Sequence, residues 1–150
     1  MRKVLILSLI GIFSLNLFAQ SDYASQLYVQ GIMEINRNNI NGSLEKLQKA
    51  CDMEHQGACS RLAGVLYQYK KKEVGNQKIK DLLVKACEKN DQEGCHNLGM
   101  FVYKEEKNPD EAIRYLHKSC IQGYSDSCRA IEQITKQKGG QTDEQKRTNK

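Results

Sequence analysis

No stretch of the sequence alternates apolar and polar residues as a half-buried strand requires, so a sheet is excluded as the framework. There is no Cys-x-x-Cys, the usual signature of a dithiol redox centre, among the six cysteines. Tryptophan is absent and proline occurs once. Beyond residue 18 no apolar run approaches the roughly 20 residues that a helix needs to cross a bilayer, so no membrane span follows the first segment. Charge is not gathered into one block either. The formal net charge is +5 over 150 residues, spread evenly, which leaves no electrostatic footprint for nucleic acid.

The first segment is different from the rest. Arg2 and Lys3 precede an apolar run, Val4 to Phe18, that ends at Ala19. This is the layout of a secretory signal peptide at 1–19, with cleavage after Ala19. No cysteine follows the cleavage site, which argues against a lipid anchor. Removal of Arg2 and Lys3 leaves a mature chain of net charge +3. Export and an even number of cysteines together predict an oxidising compartment, periplasmic or extracellular, and disulfides.

The cysteines recur in three pairs: Cys51 and Cys59, Cys87 and Cys95, Cys120 and Cys128, each with seven residues between its members. The first cysteines are 36 and then 33 residues apart, and so are the second. Other positions keep the same phase. Leu47, Leu83 and Leu116 lie four before a first cysteine, and Leu62, Leu98 and Ile131 lie three after a second. A fixed period of this length marks a repeat array.

Within each repeat the apolar spacing is helical. Ile79, Leu82, Leu83, Ala86 and Cys87 fall at i, i+3, i+4, i+7 and i+8, and Ala112, Tyr115, Leu116, Ser119 and Cys120 do the same. The spacing predicts a helix A that ends near each first cysteine and a helix B that begins near each second. Asn108-Pro109-Asp110-Glu111 predicts a helix start with an Asn N-cap. Gly123 is suited to the left-handed turn after helix A, with Ser125 as the next cap. Asn90 and Asp91 fit those two roles one repeat earlier. Residues 22–36 match helix B without cysteine, Ala24 and Leu27 standing for Cys59 and Leu62, and predict an N-terminal capping helix. Seven helices are expected over residues 20–138, with a disordered polar tail at 139–150.

Lys-Ala-Cys, seven residues, then Cys-x-x-Leu, in helix hairpins of about 36 residues, resembles the Sel-one-like repeat. More narrowly, it is similar to the exported cysteine-rich branch, the Helicobacter cysteine-rich protein family. The resemblance covers residues 22–138. It implies an all-α fold, an α/α solenoid of tetratricopeptide-like hairpins in a right-handed superhelix with one disulfide inside each hairpin. With the repeat register, this selects Cys51–Cys59, Cys87–Cys95 and Cys120–Cys128 from the 15 pairings that six cysteines allow. The stretches after Tyr67 and Tyr103 lack the glycines usual in this family, so the turns between repeats are expected to differ.

Helical-hairpin arrays present extended surfaces suited to proteins or peptides, so a binding module acting as a monomer is expected, with an acidic partner read from a row of lysines or a peptidoglycan-related ligand. Its alternative is a weak β-lactamase or penicillin-binding hydrolase, as members of the family it resembles are often labelled. Ser43-Leu44-Glu45-Lys46 matches the Ser-x-x-Lys of serine β-lactam enzymes, but the Ser-Asp-Asn and Lys-Thr-Gly elements are missing. Ser43 also stands at the repeat position of Ile79 and Ala112, so no catalytic residue is assigned. A zinc site built from the cysteines with His55, His96 or His117 is disfavoured, because zinc ligands favour spacings of two to four residues. No metal or cofactor is expected. The candidate binding residues are Lys49, Lys85 and Lys118, which share one repeat position, and Tyr69, which falls off the core stripe. By analogy with tetratricopeptide arrays the A helices would line the concave side.

Overall fold

The computed structural model describes the backbone of residues 20–148 and the side chains of residues 20–139. The leader at 1–19 lies outside the described residues. Seven α-helices follow one another: α1 (20–36), α2 (Ile40–Asp52), α3 (Ala58–Val65), α4 (Lys71–Glu88), α5 (Gln92–Glu105), α6 (Pro109–Ile121) and α7 (Ser125–Thr148). A π-helical turn, Leu66–Lys70, joins α3 to α4. No strand occurs among the described residues, and the helices pack mainly on their chain neighbours. This is an α/α solenoid in which α2–α3, α4–α5 and α6–α7 are the three hairpins and α1 caps the array.

The positions that keep the repeat phase are the ones that fill the core. Leu47, Leu62, Ile79, Leu98 and Leu116 are fully buried. Each hairpin is closed by its own disulfide: Cys51–Cys59, Cys87–Cys95 and Cys120–Cys128, with Cα atoms 4.7, 4.4 and 5.0 Å apart. The turn between the cysteines needs one left-handed residue, three after each first cysteine. Glu54 (φ 61°), Asn90 (φ 60°) and Gly123 (φ 96°) supply it. Asn108 caps α6 by accepting from the Glu111 amide, with Pro109 in the first turn. Asp91 is the N-cap of α5. Ser125 is instead the first residue of α7. The residue in register with Asp91 is Tyr124, so the predicted serine cap is displaced by one position.

The 36-residue step and the 33-residue step differ between α3 and α5. The three extra residues fall after Tyr67, where the π-turn widens the helix and the helical path runs on to Val74. Gly75 then breaks α4 with φ 75° and ψ 164°, a conformation open essentially to glycine alone. The second A helix begins beyond it. At the other end the backbone stays helical as far as Thr148, into the stretch where the sequence predicts a disordered tail.

Candidate binding surface

The three phase-locked lysines are not used alike. Lys85 Nζ donates to the carbonyl of Cys51 at 3.1 Å, and Lys118 Nζ to the carbonyl of Cys87 at 2.7 Å. Each reaches back one repeat to the last turn of the preceding A helix. There it adds a charged donor to a carbonyl that already accepts from the amide three residues on, Glu54 or Asn90, and that stands at the negative end of the helix dipole. Lys49 has no earlier repeat behind it. It is exposed and pairs with Glu45 at 2.8 Å on its own helix. Tyr69 lies in the π-turn and is 44% exposed.

A second ladder runs along the hairpin turns, and the sequence did not reveal it. The residue four before each second cysteine touches the B helix of the repeat before. His55 stacks on Tyr28 with ring centroids 4.6 Å apart. The buried Asp91 carboxylate accepts from Ser60 at 2.5 Å. Tyr124 lies against His96, centroids 5.1 Å apart. Burial holds the imidazoles of His55 and His96 below the usual histidine range. His117 is exposed on α6.

His96 and the buried Ser127 form a 2.8 Å contact that invites comparison with a base–nucleophile pair. The proton order argues against it. Ser127 donates to Ser119 at 2.8 Å, and Ser119 donates to the carbonyl of Gln92 at 2.8 Å. A hydroxyl has one proton to give, so His96 Nδ1 must donate into this chain. It cannot at the same time take a proton from Ser127. Ser43 is equally unsuited to attack. It is completely buried with its hydroxyl unpaired, while Lys46 Nζ lies 3.8 Å from Glu34. Among the described residues no group of three or more His, Cys, Asp or Glu side chains is arranged to hold a metal ion.

An apolar cleft lies between α3 and α5. Its volume is about 170 Å³, and it is floored by Ile79 and Leu83 of α4 and walled by Tyr67, Met100 and Phe101. Polar ties between the two B helices frame it. At one end Arg61 pairs with Glu93 at 3.2 Å. At the other the Glu105 carboxylate accepts from Tyr67 and Lys71, both at 2.6 Å, and from Asn76 at 3.3 Å. These donors, Lys71 and Tyr67 foremost, hold the Glu105 pKa down at about 2. Glu105 thereby fixes the long linker on both sides of its glycine break. This clamp was not legible in the sequence: Tyr67 repeats as Tyr103, but nothing local pairs it with Glu105, 38 residues on.

No family model matches the chain, and no curated protein matches it. Among solved structures, Helicobacter pylori cysteine rich protein B (HcpB) is similar in fold. The two chains share 26% sequence identity, the match covers 77% of this chain and 94% of that one, and the TM-score is 0.56. With a disulfide in each of three successive helix hairpins, the family that this chain resembles is the cysteine-rich branch of the Sel-one-like repeat proteins.

Proposed function

We propose that the chain is an exported, disulfide-stapled module that binds a protein or peptide partner. One observation carries this reading: each hairpin is closed by its own disulfide. Chain-entropy arithmetic gives roughly 2.5 kcal/mol for closing so short a loop. An array with little core per repeat therefore holds its outer surfaces rigid, which lowers the ordering cost of binding. Disulfides of this kind persist in oxidising compartments, which agrees with the signal-like segment at 1–19 and with a periplasmic or secreted location. Among the described residues no helix is long and apolar enough to cross a membrane.

Repeat arrays offer extended surfaces suited to polypeptides, and Lys49 and Tyr69 stand exposed on this one. The hydrolase alternative requires Ser43 to meet a β-lactam carbonyl, and Ser43 is enclosed. The experiment is a pull-down from the native envelope fraction with the oxidised mature chain, alongside a chromogenic β-lactam assay. The module reading expects a retained protein or peptide and no turnover above background. Turnover without any retained partner would replace it with the hydrolase reading.

A further inference from the structure

Gly64 has no structural reason to be glycine. It lies inside α3 with ordinary helical backbone, where glycine costs up to about 1 kcal/mol relative to alanine. Three other helical glycines are explained by packing: a Cβ on Gly31, Gly94 or Gly99 would come within 2.8, 2.6 or 2.7 Å of a neighbouring side chain. A Cβ on Gly64 would meet nothing within 4 Å. Its repeat equivalents are Val29 in α1, Met100 in α5 and Gln133 in α7. The missing side chain therefore leaves a gap at a position that is apolar in the helices on either side. Beneath that gap lie Ile79 and Leu83.

We infer that this gap is a socket for one bulky apolar side chain of an extended acidic peptide. The inference deepens the module reading and rests on it. The volume, about 170 Å³, is below the ~300–1,000 Å³ of small-molecule sites and suits a single anchoring side chain. Buried apolar anchors of this kind dominate binding energy at peptide and protein interfaces. The acidic character follows from charge. Lys104 lines this cleft and also the adjoining one between α5 and α7, which Lys107 lines as well. Among the described residues neither has an ion-pair partner, whereas Glu105 and Glu106, the carboxylates between them in sequence, are already paired with Lys71 and Lys80. Asn97 lies two turns before Lys104 on the same helix and lines the same cleft. Its amide can donate and accept at once, as recognition of a peptide backbone requires. Val29 and Met33, 49% and 48% exposed, extend the apolar surface at the matching positions of α1.

The test uses a random peptide library on phage, panned against the oxidised wild-type chain. Enriched peptides are then measured by fluorescence polarisation against wild type, Gly64→Leu, Gly64→Ala and Lys104→Glu. The expected peptides share a bulky apolar residue beside Asp or Glu. Gly64→Leu fills the socket and weakens binding about tenfold or more. Lys104→Glu weakens it and flattens its salt dependence. Gly64→Ala raises the melting temperature while weakening binding. Equal affinity for Gly64→Leu, with disulfides and helicity intact, overturns the socket and leaves the module reading standing. Failure to enrich any peptide counts against both. Self-association of the wild type that Gly64→Leu abolishes would make a second copy the occupant and overturn the peptide assignment. Should Gly64→Leu fail to fold, Lys104→Glu and Asn97→Ala decide, and undiminished affinity in both contradicts the inference.

Discussion

The ammonium of Lys118 donates to the carbonyl of Cys87, 2.7 Å away and one repeat earlier. Lys85 makes the same bond to Cys51. Successive hairpins are thus joined by a cation that completes the C-terminus of the preceding A helix. Two of the three lysines of the sequence ladder have their charge turned towards the neighbouring repeat.

Replacing either lysine should therefore destabilise the array. Lys118→Met is expected to cost about 1.5 kcal/mol, the low end for a hydrogen bond to a charged group, since the Cys87 carbonyl keeps its bond from the Asn90 amide. Lys49→Met should leave the unfolding midpoint unchanged, since Lys49 is exposed and pairs with the exposed Glu45. Urea unfolding of the oxidised variants measures both. Equal effects at the two sites would remove the distinction drawn between them.

Ser43→Ala is expected to be neutral or to stabilise the chain by up to about 1 kcal/mol, because it deletes a buried hydroxyl that has no partner. Any β-lactam-related activity should be unaffected. A loss of stability would reveal a bond that Ser43 makes, and a loss of turnover in a folded variant would make it catalytic.

Stability should fall in two steps as the solution is acidified. His55 and His96 have folded pKa values lowered from 6.5, mainly by burial. The unfolded chain then binds more protons, so their contribution is intact above 6.5 and is lost as pH falls below it. Glu105 is lowered from 4.5 to about 2, chiefly by its bonds from Lys71 and Tyr67. Its contribution is present above 4.5 and is lost as pH falls towards 2. Melting temperatures from pH 8 to 2 should show both steps, and Glu105→Gln should erase the lower one. An unchanged lower step in that variant would reassign it to other carboxylates.

The three staples should differ in their resistance to reductant. Cys51, Cys59, Cys87 and Cys95 are buried, whereas Cys120 and Cys128 are half-buried in the α6–α7 hairpin. Thiolate attack requires access, so Cys120–Cys128 should be reduced first. Timed alkylation under mild reduction gives the order directly. Earlier labelling of Cys87 or Cys95 would show that local opening, not exposure, controls access.

The hairpins, their boundaries and their pairing were legible in the sequence because their determinants are local and repeat. Leu47, Leu83 and Leu116 hold one phase, and each cysteine pair spans one turn. The lysine position was visible as well, but not its use. Nothing local says that Lys118 reaches Cys87 across 31 residues. The Glu105 clamp was hidden for a related reason: Tyr67, Lys71 and Asn76 meet it only because a π-turn and Gly75 set the linker path. Gly64 did leave a signal, since the same position carries a side chain in every other B-type helix: Val29, Met100 and Gln133. Its meaning became clear only when the space above it proved empty.

The central claim is an exported array whose hairpins are stapled one by one. Mass spectrometric peptide mapping of the native protein, isolated without reductant, tests it most directly. The account predicts an N-terminus at Gln20 and three linked pairs, Cys51–Cys59, Cys87–Cys95 and Cys120–Cys128. A retained Met1, free thiols, or a disulfide joining two different hairpins would contradict it.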